Sequence, residues 1–183
     1  MRVGIGYDIH PLIEGRPLVL GGVVVPHPRG LRGHSDADVL VHALIDAMLG
    51  AAALGTIGGH FPDGDPRFAG VSSLLLLDEA RRLVEGAGYR VVNVDTVIIA
   101  QEPRLQPHLE PMARTLAGHL GLDVRRVGVK ATSPEGLGAL GRLEGIAAQA
   151  VVLLEDRSEG REGRPHDRGT APGRSDVAHE LPR

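Results

Sequence analysis

The chain has 183 residues and a mass of 19.3 kDa, which is enough for one domain and too little for two. Aromatic residues make up only 2% of it, so aliphatic side chains must form the core, and an aromatic platform for single-stranded nucleic acid is excluded. The absence of Cys excludes disulfides, thiolate zinc sites and a cysteine nucleophile. A formal net charge of −3 argues against a broad basic surface for duplex nucleic acid.

The two ends of the chain predict a cytoplasmic protein with a folded body at residues 1–156. No apolar run approaches the ~20 residues needed to cross a bilayer, and the residues after Met1 lack the features of a signal peptide. The segment 157–183 holds eleven charged residues, four Gly and three Pro. Because such a composition buries too little apolar surface to offset the entropy of ordering, we expect a disordered tail.

Strand and helix patterns alternate along the body, which predicts an α/β or α+β fold. The predicted elements are a strand over 2–10, a hairpin over 18–25, a helix over 36–54, a helix over 72–86, a strand over 89–101, a helix from Pro107 to 119, and strands over 124–131 and 146–154. In the hairpin, Gly21 and Gly22 supply the positive φ angles that a tight turn needs. The first helix begins with a variant of the capping box, with Ser35 as the N-cap and Asp38 in the first turn.

Three side chains from the first strand and the first helix form a candidate metal site. Asp8 and His10 are two residues apart on the strand and therefore point to the same side. His42 lies on an otherwise apolar helix face, one turn from Asp38 and one turn from Asp46. The alternative is a core histidine paired with these two carboxylates. Two imidazoles and one carboxylate, however, are the protein ligands of a catalytic zinc ion with an open fourth position, in which case Asp38 or Asp46 would orient His42.

Three further segments carry polar groups that suit phosphate or a cation. His34 and Ser35 precede the first helix, where free amides favour an anion such as phosphate. The segment 61–66 holds two aspartates, although its composition is typical of a simple turn. The segment 130–135 combines an ammonium, two hydroxyls and a carboxylate, which fits phosphate and Mg²⁺ or Mn²⁺ as well as a solvated loop.

One motif points to a different function and is rejected on spacing. The segment 136–141 matches G-x-G-x-x-G, and Asp156 follows twenty residues after its first glycine. A dinucleotide fold requires a strand directly before the glycines, and a helix and a second strand before the acidic residue. Residues 142–155 leave no room for both elements.

In combination these motifs closely resemble the 2-C-methyl-D-erythritol 2,4-cyclodiphosphate synthase family. The resemblance covers about residues 1–155. The matching segments are Gly4–His10, Gly33–Asp38 with His42, Ile57-Gly58, Phe61–Asp63, Asn93–Asp95 leading to Ile98–Ala100, Lys130–Thr132 with Glu135, and Gly141-Arg142 with Glu144-Gly145.

The resemblance implies a fold and an activity. The family converts 4-diphosphocytidyl-2-C-methyl-D-erythritol 2-phosphate into the 2,4-cyclodiphosphate and releases CMP, in the non-mevalonate route to isoprenoids. The resemblance implies a homotrimer of α/β subunits, each a mixed sheet packed on helices, with active sites between neighbouring subunits. It implies a small-molecule partner and neither nucleic acid nor membrane.

The resemblance also assigns roles to single residues. It implies Zn²⁺, or another divalent cation, on Asp8, His10 and His42, and Mg²⁺ or Mn²⁺ held on the substrate diphosphate by Glu135. His34 and Ser133 match the positions that stabilise the transition state. The implied substrate contacts are Asp8, Ile9, His10, His34, Ser35, Thr56, Ile57, Gly58, Phe61, Pro62, Asp63, Gly64, Asp65, Ala100, Gln101, Glu102, Pro103, Arg104, Leu105, Gln106, Thr132, Ser133, Pro134, Glu135, Ala139 and Arg142. Of these, the neighbouring subunit supplies positions 100–106 and 132–135 to the cytidine diphosphate pocket, and Arg142 faces a ligand in the central cavity.

The chain departs from the family pattern at a few positions. Thr56 stands where the family usually has Asp, and Ser133 replaces Thr but keeps the hydroxyl. Ala139 replaces a common Phe and Leu143 a common Gly, so the central-cavity ligand is the least secure inference. Two other functions fit the same three metal ligands: a zinc hydrolase that activates water, and a binding protein in which the metal only joins strand to helix.

Overall fold

The structure is a computed structural model that describes residues 1–157. The predicted tail therefore lies, apart from Arg157, outside the described residues. The elements are β1 (Arg2–Glu14), β2 (Leu18–Leu20), β3 (Val23–Val25), β4 (Arg29–Leu31), α1 (Val39–Ala51), α2 (Ile57–His60), α3 (Ser73–Gly86), β5 (Tyr89–Ile99), α4 (Leu109–Leu120), β6 (Val127–Thr132), α5 (Gly138–Gly141) and β7 (Gly145–Asp156).

The strands form a five-stranded mixed sheet in the order β4-β1-β7-β5-β6, beside the two-stranded β2-β3 hairpin. Only β5 and β6 run parallel, and the other neighbouring pairs are antiparallel. The predicted mixed sheet packed on helices is confirmed. β1 runs four residues past the predicted end, because β4, which lies between the predicted hairpin and the first predicted helix, pairs with its last residues. Within residues 1–157, no helix is long and apolar enough to cross a membrane.

Helix α1 packs unusually closely against β1, and two glycines make this possible. A Cβ atom at Gly4 would lie 2.0 Å from the carbonyl oxygen of Ala47, and one at Gly6 would lie 1.9 Å from that of Ala43. The helix backbone therefore rests directly on the strand. This contact sets the height of α1 above the sheet and brings the helix residue His42 near the polar end of β1.

The start of α1 differs from the prediction. Ala37 has a φ of 59°, so the chain is still turning there, and the N-cap is Asp38 instead of Ser35. The buried carboxylate of Asp38 accepts hydrogen bonds from the amides of Leu40 and Val41 in the first turn. Ser35 instead accepts from the amide of Ala37. The prediction failed because a serine and an aspartate three residues apart are both acceptable N-caps, and only the turn at 37 selects the second.

Asp38 also joins α1 to the β2-β3 hairpin. Its two carboxylate oxygens accept from the amides of Gly21, at 2.9 Å, and Gly22, at 2.6 Å. Burial raises the pKa of Asp38 to about 6, and the hairpin amides oppose that increase. Hairpin and helix start are thus held by one carboxylate that four backbone amides surround.

The two faces of the sheet are unlike each other. The helices cover one face, and the largest buried side chains, which include Leu44, Ile45 and Met48, lie there. On the other face, alternate residues of β1 are exposed although they are apolar: Val3, Ile5, Tyr7 and Ile9. Large exposed apolar faces are typical of surfaces that bind another protein.

We expect Gly6→Ala to destabilise the fold by about 3 kcal/mol, because a methyl group 1.9 Å from the carbonyl oxygen of Ala43 forces helix and strand apart. Urea unfolding measures this change. The control is Gly50→Ala on helix α1, where a Cβ meets nothing within 4 Å and helix propensity favours alanine. Equal midpoints for the two variants would show that the close contact does not determine stability.

Candidate metal centre and active site

The end of β1 and the first turns of α1 bring three ligand side chains together. Nε2 of His10 lies 2.8 Å from Oδ2 of Asp8, and Nδ1 of His42 lies 3.1 Å from the same oxygen. The two ring nitrogens are 3.0 Å apart. The expectation that this strand and this helix meet is confirmed: one ligand atom from each residue lies within 4.8 Å of the others.

A hydrogen bond on the outer side of the His10 ring decides which of its nitrogens faces the centre. Nδ1 of His10 lies 2.8 Å from the backbone oxygen of Arg32, which can only accept, so this nitrogen carries the proton. Neutral His10 therefore turns the lone pair of Nε2 towards Asp8 and His42. Two nitrogen lone pairs and a carboxylate this close repel each other unless a proton or a metal ion lies between them.

The pKa shifts report the same electrostatic arrangement. Burial raises the pKa of Asp8, but hydrogen bonds from His10 and His42 outweigh it and hold this pKa well below its ordinary value. Burial lowers the pKa of His10, but the hydrogen bond and the charge of Asp8 outweigh it and raise this pKa. The centre thus holds a carboxylate and favours a positive charge beside it. The residues fit a divalent cation with two nitrogen ligands and one oxygen ligand.

The partners of His42 are not the predicted ones. Asp38 caps α1, and Asp46 accepts from the amide of Ile57 at 2.7 Å, so neither carboxylate contacts His42. Nε2 of His42 instead lies 2.9 Å from Oγ of Ser73 and 3.1 Å from Oγ of Ser35. Sequence reasoning missed Ser73 because it lies 31 residues away, at the start of α3, and nothing local marks it.

The loop with His34 and Ser35 is fixed by a residue that the sequence did not single out. The guanidinium of Arg16 donates to the backbone oxygens of Gly33, at 2.7 Å, and Ser35, at 2.5 Å, on either side of His34. The His34 ring contacts the backbone oxygen of Asp65 at 3.1 Å. The carboxylate of Asp38 already accepts from the amides of Leu40 and Val41, so the predicted anion site at the helix start would depend on the His34 and Ser35 side chains.

The metal centre opens into a cleft of about 220 Å³. The lining combines the centre with the loop after β4, with α2 and with apolar side chains. Its members are Asp8, His10, Gly33, His34, Ser35, His42, Ile57, Gly58, Phe61, Asp63, Phe68 and Leu76.

Half of the remaining predicted residues line a second cleft, of about 470 Å³. It is lined by Ala100, Gln101, Glu102, Pro103, Arg104, Leu105, Gln106, Ala131, Thr132 and Ser133. The two linings share no residue. Outside both lie Ile9, Thr56, Pro62, Gly64, Asp65, Pro134, Glu135, Ala139 and Arg142. Within one chain, the predicted site residues that line a cleft therefore fall into two separate groups.

Two charged regions stand apart from these clefts. Lys130 pairs with Asp95 at 2.6 Å, on the sheet face with exposed apolar residues, and is not part of either lining. A larger cleft of about 630 Å³ lies between α3, α4 and the ends of β5 and β7. Its arginines are largely paired within the chain, as in Arg81 with Glu85, and none of the predicted site residues lines it.

Known proteins are similar to this chain in both sequence and fold. The model of the YgbB family matches residues 1–155. The 2-C-methyl-D-erythritol 2,4-cyclodiphosphate synthase of Syntrophobacter fumaroxidans is 62% identical over 161 residues, which are 88% of this chain and 100% of that protein.

Two solved structures are similar over most of the described residues. The bifunctional IspDF of Campylobacter jejuni gives a TM-score of 0.82 at 43% identity over 86% of this chain, which spans only 43% of that longer chain. A CDP-bound form of a 2C-methyl-D-erythritol-2,4-cyclodiphosphate synthase gives 0.78 at 43% identity, with 84% of this chain and 100% of that one covered. The chain belongs to the 2-C-methyl-D-erythritol 2,4-cyclodiphosphate synthase family.

Proposed function

We propose that the chain converts 4-diphosphocytidyl-2-C-methyl-D-erythritol 2-phosphate into 2-C-methyl-D-erythritol 2,4-cyclodiphosphate and CMP. The observation that carries the proposal is the meeting of Asp8, His10 and His42 in a cleft that also holds His34 and Ser35. The activity in the name of the 62% identical relative supports it. CDP in a similar structure supports a cytidylyl substrate.

The reaction needs no nucleophilic side chain. An oxygen of the 2-phosphate forms a bond to the β-phosphorus, and the bond from that phosphorus to the CMP oxygen breaks. Both groups are anionic, and their repulsion grows as water leaves the site. The protein must therefore hold them in line and balance their charge, which agrees with a chain that lacks Cys and has a single Lys.

Zn²⁺ is the metal that two imidazoles and one carboxylate suit best. Held by Asp8, His10 and His42, it would supply Lewis-acid polarisation of a phosphate oxygen. The ring of His10, held by the carbonyl of Arg32, keeps its Nε2 directed at Asp8 and His42, where the metal would bind. Glu135 is the proposed ligand of a second cation, Mg²⁺ or Mn²⁺, on the diphosphate.

His34 and Ser133 are the proposed groups that stabilise the transition state, and the other substrate contacts implied by the resemblance belong to the same proposal. His34 lines the metal cleft, where Arg16 fixes its loop on both sides. Because Asp38 already accepts from the amides of Leu40 and Val41 at the start of α1, we expect the compensating charge to come mainly from cations and side chains.

A homotrimer explains why one chain carries two separate half-sites. Ser133 and the cytidine-binding segment lie in one cleft and the metal ligands in another, so a single substrate has to bridge clefts of neighbouring copies. The exposed apolar face of β1, continued by Val151 on β7, provides a surface for such an assembly. Burial of this face would contribute roughly 25 cal/mol per Å² of apolar area to the free energy of association, before the entropy lost on association is subtracted.

Substitution of a metal ligand tests the reaction. We expect His42→Ala to bind Zn²⁺ at least about 100-fold more weakly and to lose at least about 1,000-fold in kcat/KM. Phosphorus NMR of the product identifies the reaction, with and without chelator. His119→Gln is the control, because His119 pairs with Asp78 between α3 and α4 and does not line the metal cleft.

The phosphorus NMR spectra, together with melting curves recorded with and without chelator, separate the two alternative functions. Release of a linear phosphate product by the parent chain would assign a hydrolase. Zinc-dependent melting without any turnover would assign a structural metal. Full activity of His42→Ala would contradict the proposed metal centre itself.

Zinc affinity should fall as the pH falls. Because Asp8 raises the pKa of His10, the ring keeps its proton to a higher pH than a free imidazole, and that proton must leave before the metal binds. Below this raised pKa we expect the affinity to drop about tenfold per pH unit for each imidazole proton displaced. Chelator competition between pH 5.5 and 8 measures it. An affinity that does not change over this range would exclude His10 as a ligand.

Substitution on the apolar sheet face tests the assembly. We expect Ile5→Arg, at a side chain of which 64% is exposed, to convert the trimer into monomers, because buried unpaired charges oppose association. Light scattering after gel filtration gives the mass. Leu75→Arg is the matched control, since Leu75 is 58% exposed but lies on α3. A trimer in both variants would place the interface elsewhere.

A further inference from the structure

A chain of hydrogen bonds leads away from His42 on the side opposite the metal centre. Nε2 of His42 lies 2.9 Å from Oγ of Ser73, a side chain with no exposed surface. The Ser73 hydroxyl in turn makes a very short hydrogen bond to Oδ1 of Asp36. The other carboxylate oxygen of Asp36 accepts from the amide of Ser73 at 3.0 Å.

The directions of these bonds follow from the chemistry of each group. A carboxylate only accepts, so the Ser73 hydroxyl donates its proton to Asp36. The lone pairs of Oγ are then left for His42, and Nε2 must carry the proton that it donates to Ser73. In neutral His42 the other nitrogen, Nδ1, is therefore the one with a free lone pair, and it faces Asp8 and His10.

The second hydroxyl near His42 fits the same order. Oγ of Ser35 lies 3.1 Å from Nε2 and 3.2 Å from Oγ of Ser73, so it can donate to Ser73. It also accepts from the amide of Ala37. Within residues 1–157 no carboxylate accepts a hydrogen bond from Ser35, whereas Asp36 accepts one from Ser73, so Ser73 is the partner that determines the tautomer of His42.

We propose that Ser73 and Asp36 are positioning residues that fix His42 as a metal ligand with Nδ1 directed at the metal. The inference rests on the metal centre of the proposed function. Ligating histidines commonly donate their other N–H to a carboxylate or carbonyl, and here a serine hydroxyl transmits that interaction. The amide of Asp36 also donates to the carbonyl of Val71, so the entry to α3 and the metal centre are held together.

The first test compares two neighbouring serines. We expect Ser73→Ala to bind Zn²⁺ about 10- to 100-fold more weakly than the parent chain, measured by competition with a chromophoric chelator at pH 7.5. Ser72→Ala removes the N-cap hydroxyl of the same helix without touching His42, and its Zn²⁺ affinity should stay within about threefold of the parent.

A second variant removes the negative charge that orients the Ser73 hydroxyl. In Asp36→Asn, one of the two oxygens becomes an NH₂ group, although Oδ1 of Asp36 accepts from the Ser73 hydroxyl and the amide of Asp38, and Oδ2 accepts from the amide of Ser73. The Ser73 hydroxyl loses its charged acceptor and is free to turn its proton to His42, so neutral His42 is no longer restricted to one tautomer. Nitrogen NMR of zinc-free chain labelled in histidine should show the proton of neutral His42 on Nε2 in the parent and divided between Nε2 and Nδ1 in this variant. A purely structural role would not change this signal.

The possible results separate the two claims. If Ser73→Ala or Asp36→Asn binds Zn²⁺ as tightly as the parent chain, the positioning role is wrong and the metal centre stands. If the parent chain binds no Zn²⁺, the metal part of the proposed function is wrong and the inference fails with it. If Ser73→Ala does not fold, the affinity and the tautomer of Asp36→Asn decide.

Discussion

The site depends on one close contact, between the backbone of α1 and two glycines of β1. A larger residue at Gly4 or Gly6 would place its Cβ about 2 Å from a helix carbonyl. Beyond the glycines the strand continues with Asp8 and His10 on the same face, and the helix provides His42 from above. The same alternation that permits the contact therefore also places the ligands, because every second residue of a strand shares a face.

A second constraint is electrostatic. The amides at the start of a helix are a natural site for phosphate, but here the buried carboxylate of Asp38 uses them to hold α1 and the β2-β3 hairpin. This part of the fold thus gains stability from groups that could otherwise bind substrate. The candidate metal centre differs from this. The nitrogen lone pairs and the carboxylate repel one another unless a proton or a metal ion lies between them, so the centre suits a cation.

The surface of the chain agrees with a site that is completed by copies of itself. The candidate metal ligands and the segment proposed to bind cytidine lie in separate clefts, and one face of the sheet leaves Val3, Ile5 and Tyr7 exposed. In the proposed trimer both features have one explanation, because the contact that buries the sheet face would also bring clefts of neighbouring subunits together.

The class of fold, the glycine turn of the hairpin and the candidate metal ligands Asp8, His10 and His42 could be predicted from the residues alone, since period-two spacing on a strand and turns of a helix are local properties. That the strand and the helix meet came from the structure. The family resemblance named the reaction. The N-cap was predicted wrongly, because Ser35 and Asp38 are equally good caps until a left-handed residue at Ala37 selects between them. The partners of His42 and of the loop at His34 could be identified only once the packing of the elements was known. Ser73 and Arg16 come from distant segments, and contacts between distant segments depend on how the elements pack rather than on their own residues.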